Sequence, residues 1–266
     1  MAEPGIAGTR ACPLCGRTRK ILRYARAPHE VVECPDCGMV FLSAEMSYTK
    51  QVAEHDFLDS YQVERDRRQA THPILAFISS WTRRLKPEIG LRLLAQTLRW
   101  RPAAQGGRLV DFGCGDGKFL AEAARYFLVS GVEISSRLAA GARERVPGVK
   151  IHVGPVTEAQ LDEAAFDVVT QFSVLEHEWH PRAALAAAQR ALAPGGITVI
   201  KVPNYASWNR RVMGLDWCGF RLPDHCNYFT PATLAKMLRG TGFQPLPGSP
   251  LDRLPTSDSL WMAAQK

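Results

Sequence analysis

The chain has 266 residues, 46% hydrophobic and 22% charged, with a formal net charge of +7. This is ordinary globular composition with length enough for a full core and a small appendage, and it excludes a disordered, collagenous or coiled-coil chain. The opening MAEPGIAGTR holds no apolar run before a cleavage site, and no stretch reaches about 18 apolar residues, so a soluble, cytoplasmic protein with no membrane partner is expected.

In chain order, the first feature is a repeated phrase, Cys12-Pro-Leu-Cys15-Gly and Cys34-Pro-Asp-Cys37-Gly, with 18 residues between Cys15 and Cys34. Each Cys-x2-Cys turn puts two sulfurs on one side of a tight reversal, and two such turns supply the four thiolates of a tetrahedral zinc site. Disulfides suit an unexported chain poorly, and a redox dithiol needs only one such turn. Four cysteines close the site, so its expected work is folding or recognition rather than chemistry. Ile21, Leu22 and Tyr24, then Val31 and Val32, then Val40 to Leu42 read as short strands of a ribbon over residues 1–45. Cys114, Cys218 and Cys226 are expected as free thiols.

Residues 46–101 change to a helical period and read as a bridge. Ile74, Phe77, Ile78, Trp81 and Leu85 share one face after Pro73, and Leu91, Leu94, Ala95 and Leu98 form a second stripe. Packing on the following domain explains these stripes; a sharper alternative makes Tyr48 or Tyr61 part of a lid.

Residues 102–266 read as one domain. A buried strand, Arg108 to Phe112, runs into Gly113-Cys114-Gly115-Asp116-Gly117 and then a helix, and a second strand ends in Glu133, where an acidic side chain can accept from a ribose diol. The glycine spacing does not fit a dinucleotide fingerprint. Asp111 and Asp116 would repel a pyrophosphate, but they suit a ligand carrying an ammonium and a sulfonium, which points to S-adenosylmethionine. Strands near 108–113, 129–134, 149–153, 166–172 and 196–202 alternate with helices, the pattern of a parallel sheet covered on both faces. Asp111, Glu133 and the Glu176-His177 pair fall at strand ends, where such folds bind ligands.

Asp111 to Gly117 is similar to the first motif of the class I S-adenosylmethionine-dependent methyltransferases, and Gly131-Val132-Glu133 to their second. The resemblance runs on through Phe166 to Thr170, Leu175-Glu176-His177 and Leu192 to Gly196, and with the cysteine ribbon and His225 to Thr230 it resembles the ubiquinone-type O-methyltransferase branch. It implies an α/β fold, a Rossmann-like, doubly wound, mostly parallel seven-stranded sheet carrying a small N-terminal zinc ribbon. It also implies a cofactor pocket built from Asp111, Gly113, Gly115, Gly117, Glu133, Ile134, Val156 and Phe172. The chain departs from the family where an acid often follows the third strand, here Val153 to Glu158, and at Ser173, where ubiquinone-type members can carry another acid.

His177 is the expected general base for a hydroxyl acceptor, since an unperturbed imidazole titrates near neutrality; His225 and His180 are its rivals. An insertion holding Tyr205, Trp208, Arg210, Arg211, Trp217, Phe220, Arg221 and Tyr228 has the aromatics and arginines of a pocket for a small-molecule acceptor, an anionic one included. Two other functions compete: an RNA or protein methyltransferase gripping its target through the ribbon, and a non-catalytic ribbon adaptor. The basic excess, mostly before Arg101, permits nucleic acid without demanding it.

Overall fold

The computed structural model describes residues 7–45, 66, 71, 89–101, 107–248, 255 and 257–266. The helix expected through Ile74 to Leu85, and Tyr48 and Tyr61, lie outside these residues. No helix among the described residues is long and apolar enough to cross a membrane.

Five short strands open the described chain: β1 (Ala7–Thr9), β2 (Ile21–Arg26), β3 (His29–Glu33), β4 (Val40–Leu42) and β5 (Ala44–Glu45). β1 pairs with β5, while β2, β3 and β4 make an antiparallel meander. Helix α1 (Ile89–Trp100) follows and buries Gly90, Leu93, Leu94 and Thr97. The stripe expected from Leu91, Leu94, Ala95 and Leu98 is therefore rotated, with Leu91 42% exposed and Ala95 exposed. The cause is close approach. A Cβ at Gly90 would lie 2.5 Å from the Lys118 carbonyl oxygen, so the helix seats its glycine there and turns Leu91 outward.

Strands and helices then alternate: β6 (Gly107–Phe112), α2 (Lys118–Ala123), β7 (Phe127–Glu133), α3 (Ser136–Arg145), β8 (Lys150–Val153), β9 (Phe166–Phe172), α4 (Pro181–Ala191) and β10 (Leu192–Pro203). After them come α5 (Trp208–Met213), β11 (Asn227–Tyr228), α6 (Pro231–Arg239), β12 (Gln244–Pro245) and β13 (Ser259–Gln265). Seven of these strands form one sheet in the order β12-β13-β10-β9-β6-β7-β8. Six run in one direction, and β13 alone is reversed, pairing antiparallel with β10 on one side and with the edge strand β12 on the other. This is the doubly wound Rossmann-like sheet the sequence leads one to expect.

The period-2 alternation of each strand sorts its side chains between two cores. Val110, Phe112, Val169, Ile200 and Val202 face one side, against Ala184, Leu185 and Ala188 of α4 and Leu234, Met237 and Leu238 of α6. Leu109, Val168, Ile197 and Val199 face the other, against α1, α2 and α3. The helices are well begun: Pro181 opens α4, and Thr230 caps α6 in a reciprocal box with Thr233 before Pro231.

The cysteine ribbon packs on the first face. Cys12, Leu14, Val32, Cys34, Met39 and Phe41 belong to the same core as α4 and α6. Its sheet is completed from far along the chain, because β11 pairs antiparallel with β4, matching Asn227 to Phe41 and Tyr228 to Val40. A third core fills the seam, joining Val31, Val40 and Leu42 of the ribbon to Trp179, Tyr205, Trp217, Phe220 and Tyr228. Most insertion aromatics expected to line an acceptor pocket thus hold the ribbon to the domain, while Trp208 is 57% exposed. Asp258, just before β13, anchors the insertion by accepting from Ser207 Oγ at 3.0 Å, Asn209 Nδ2 at 2.7 Å and Trp217 Nε1 at 2.7 Å.

Candidate active site and metal centre

The two cysteine turns are built alike. Gly16 N donates to Cys12 O and Gly38 N to Cys34 O, both at 2.8 Å, while Cys12 N donates to Arg17 O and Cys34 N to Met39 O, both at 2.9 Å. This brings Cys12 Sγ to 3.5 Å from Cys37 Sγ and Cys15 Sγ to 3.5 Å from Cys34 Sγ, with all four sulfurs within 4.8 Å of one another. A tetrahedral zinc with bonds of about 2.3 Å needs sulfurs roughly 3.8 Å apart, so the four cysteines fit such an ion.

The second site opens at the carboxyl ends of the strands. After β6 the chain turns through Gly113, Gly115 and Gly117, with φ of 71°, 55° and 78°. Gly113 has no room for a side chain: its Cβ would sit 2.7 Å from Val174 Cγ2. Glu133, ending β7, holds the loop in place, since its Oε2 accepts from Gly115 N at 2.8 Å and its Oε1 from Ser135 N at 2.9 Å. A carboxylate offers about four lone-pair sites, so half its acceptor capacity remains for a ligand.

A cavity of about 220 Å³ lies here. Gly113, Gly115, Glu133, Ile134, Gly154 and Val156 line it from beyond the ends of β6, β7 and β8, with Leu138 from the first turn of α3; Ser173, Val174, His177, Glu178 and Arg221 line it from beyond the end of β9 and the insertion. Five of the eight expected cofactor residues are thereby brought together: Gly113, Gly115, Glu133, Ile134 and Val156. Three are not in the wall. Asp111 is buried one strand position too deep, its Oδ1 accepting from Thr170 Oγ1 at 2.6 Å. Gly117 caps α2 and backs onto Ala142. Phe172 points to the other core, edge-on to Phe119 at 5.0 Å and to Trp261 at 5.7 Å. Asp116, read as part of an anion-repelling loop, instead pairs with Lys118 at 2.8 Å and Arg145 at 3.2 Å.

Sequence reading missed Leu138 and Glu178, the latter because it adjoins a motif that points to His177. Of the three insertion arginines expected at an acceptor pocket, Arg210, Arg211 and Arg221, only Arg221 lines the cavity.

The two histidines separate. His177 reaches the wall, with Nδ1 2.9 Å from the Asp224 carbonyl oxygen; that oxygen only accepts, so Nδ1 carries the proton and Nε2 the lone pair. Burial, aided by Arg221, pushes its pKa down to about 3. His225 stands behind it with ring centroids 4.6 Å apart, its Nδ1 donating to Gly219 O at 2.8 Å. It is 4% exposed and outside the cavity lining, which corrects its expected contact with the acceptor. Burial raises Glu176 and Glu178 to about 7 each and Asp111 to about 8.

These carboxyls give a pH prediction. Each keeps its proton in the folded chain well above the pH at which the unfolded chain has lost it. Their contribution to stability is full below the unfolded values of 3.8 and 4.5 and is lost as pH rises through about 7 to 8. His177 and His225, lowered from 6.5, act oppositely but only below that pH. The melting temperature of ligand-free protein should accordingly fall between pH 6.5 and 8.5; a level or rising curve would show that these carboxyls ionise without cost.

A doubly wound sheet whose glycine turn and second-strand acid open on one cavity defines the class I methyltransferase architecture. The chain belongs to the methyltransferase domain family, whose model matches residues 80–247. Over 180 residues it is 31% identical to a Mycolicibacterium smegmatis protein named "Probable S-adenosylmethionine-dependent methyltransferase", covering 66% of this chain and 64% of that one. It is 33% identical over 153 residues to the ubiquinone biosynthesis O-methyltransferase of Cereibacter sphaeroides, covering 53% and 62%. The chain thus spans less than two thirds of the length of either relative. The crystal structure of Burkholderia thailandensis 1,6-didemethyltoxoflavin-N1-methyltransferase superposes with a TM-score of 0.55 at 21% identity, covering 92% of this chain and 98% of that one, which speaks for the fold.

Proposed function

We propose that this protein transfers a methyl group from S-adenosylmethionine to an oxygen or nitrogen of a small-molecule acceptor. The observation that carries the reading is a single cavity with two chemically distinct walls, the glycine turn with Glu133 on one and His177, Glu178 and Arg221 on the other. The match to ubiquinone biosynthesis O-methyltransferases favours oxygen. S-adenosylmethionine supplies a methyl group on a positively charged sulfur. Glu133 accepts from the ribose hydroxyls with its remaining lone pairs, and Ile134, Leu138 and Val156 give the adenine an apolar slot. Arg221, paired with Asp224 at 3.3 Å, favours an acceptor with an anionic group. The chain's main contribution is to hold the acceptor atom in line with the methyl–sulfur bond.

The base is Glu178 in this reading. A group near pKa 7 takes a proton at neutral pH with useful driving force, whereas an imidazole held near 3 accepts a hydrogen bond and little more. Glu178→Gln should lower kcat by roughly 100-fold, and His177→Ala by less, in the range typical of a general base. If His177→Ala is the crippled variant in steady-state assays, the base returns to the histidine.

The four ribbon cysteines hold one zinc ion that contributes to folding, and reduced thiolates of this kind fit the cytoplasm. The reading is tested by incubating protein and methyl-labelled S-adenosylmethionine with a small-molecule cell extract. Label should appear in low-mass products by mass spectrometry; label confined to RNA or protein would overturn it.

A further inference from the structure

The segment that forms the acceptor wall, Leu175 to Trp179, is held at four of its carbonyl groups by donors that come from the ribbon seam. Asn227 Nδ2 donates to Leu175 O at 2.7 Å and to Glu178 O at 2.6 Å. The Glu176 carbonyl accepts from Cys226 N at 2.7 Å and Asn227 N at 3.1 Å. Trp179 O accepts from Arg10 Nη2 at 2.6 Å. Four carbonyls, two on each side of His177, are therefore clamped by Arg10, Cys226 and Asn227.

Arg10 connects this clamp to the ribbon. It is buried two residues before Cys12, donates to Cys226 O at 3.0 Å and to Asn227 Oδ1 at 2.9 Å, and stacks between the Phe41 ring at 5.6 Å and the Trp179 ring at 5.0 Å. A planar guanidinium can serve three acceptors in fixed directions, which an ammonium cannot. The arrangement leaves the Asn227 amide one orientation, oxygen to the guanidinium and nitrogen to two carbonyls. Beyond its neighbours, Asn227 is also the residue by which β11 pairs with Phe41 of β4.

We propose that Arg10 and Asn227 are positioning residues for the methyl acceptor wall, so that the N-terminal ribbon sets the geometry of His177 and Glu178 without touching the acceptor. The proposal rests on the methyl-transfer reading for what the wall does. Its physical case is that methyl transfer depends on alignment, where about 1 Å of displacement costs on the order of 100-fold in rate. The cofactor wall, built from β6, β7 and β8, makes none of these contacts.

The test uses the full-length, metal-loaded protein with nitrogen-15-labelled histidine, and S-adenosylhomocysteine as the cofactor probe. Asn227→Asp keeps the acceptor for Arg10 but turns a carboxylate oxygen on the Leu175 and Glu178 carbonyls. Arg10→Lys keeps the charge and the ring contacts but loses the fork. Both should shift the His177 ring resonances while S-adenosylhomocysteine affinity by calorimetry stays within about twofold of wild type. Arg23→Ala, which removes an exposed ribbon ion pair with Glu33, should leave those resonances in place. Unmoved His177 signals in Arg10→Lys would overturn the proposal, as would an equal loss of S-adenosylhomocysteine binding, which would make the contacts general supports of the fold. Should Asn227→Asp fail to fold, Arg10→Lys decides alone. Failure of the wild-type protein to bind S-adenosylhomocysteine would overturn the methyl-transfer reading, and the His177 response would still decide the clamp.

Discussion

Cys12→Ser should yield a protein without zinc that is poorly soluble and melts about 10 °C or more below wild type, before any effect on chemistry can be read. Structural zinc in small cysteine sites is worth about 10 to 16 kcal/mol, comparable with the roughly 5 to 15 kcal/mol that keeps a whole domain folded. In a ribbon hung on a tether the damage would stay local. Here Cys12, Cys34, Met39 and Phe41 share a core with α4 and α6, so loss of the metal removes one side of that core. Metal analysis of wild-type protein purified without chelator should find one zinc per chain. A metal-free Cys12→Ser protein with an unchanged melting curve would mean that packing alone holds the knuckles.

Glu133→Ala should weaken S-adenosylmethionine binding by roughly ten- to a hundredfold, since a hydrogen bond to an ionised group is worth about 1.5 to 3 kcal/mol. Two losses combine. The ribose loses its acceptor, and the amides of Gly115 and Ser135 lose theirs, which frees the glycine turn. Glu133→Gln separates them, because the amide keeps the shape and one accepting oxygen but offers a donor to a backbone N–H. It should fall between wild type and Ala in calorimetry. Unchanged affinity in Glu133→Ala would put the ribose contact elsewhere.

The sheet and its glycine turn were legible because their signals are local. Leu109-Val110 and Val168-Val169 are buried on both faces and read as apolar runs, and an acid at the end of the next strand is a fixed distance from the turn. The cysteine cluster was legible for the same reason, since spacing alone brings two sulfurs together. What escaped was the direction of individual side chains. Asp111 and Phe172 lie on the right strands but one sits beneath the turn and the other points to the opposite core, a one-residue matter in a period of two. The rotation of α1 hangs on Gly90, whose partner is the backbone of Lys118, and no periodicity records that contact.

The acceptor side was the least legible. Trp217, Phe220 and Tyr228 have the composition of a pocket, yet they are spent on a seam with the ribbon, and only tertiary pairing between residues 40–42 and 227–228 reveals it. Arg10 gave no sign at all, because a single arginine before a cysteine reads as surface. Its burial follows from the two backbone carbonyls, the Asn227 amide oxygen and the two rings that surround it.

The pairing of β4 with β11 also bears on the order of events during synthesis. Arg10 and Cys226 are 216 residues apart. At about 5 to 20 residues per second, roughly 10 to 40 s separate the emergence of the knuckles from that of the strand that completes their sheet. Through that interval the open side of β4 is an unpaired edge, and Val31, Val40 and Leu42 have no cover from the insertion. A ribosome-bound nascent chain halted before residue 227 should therefore hold its metal yet bind chaperones, and release them once the remaining residues are made.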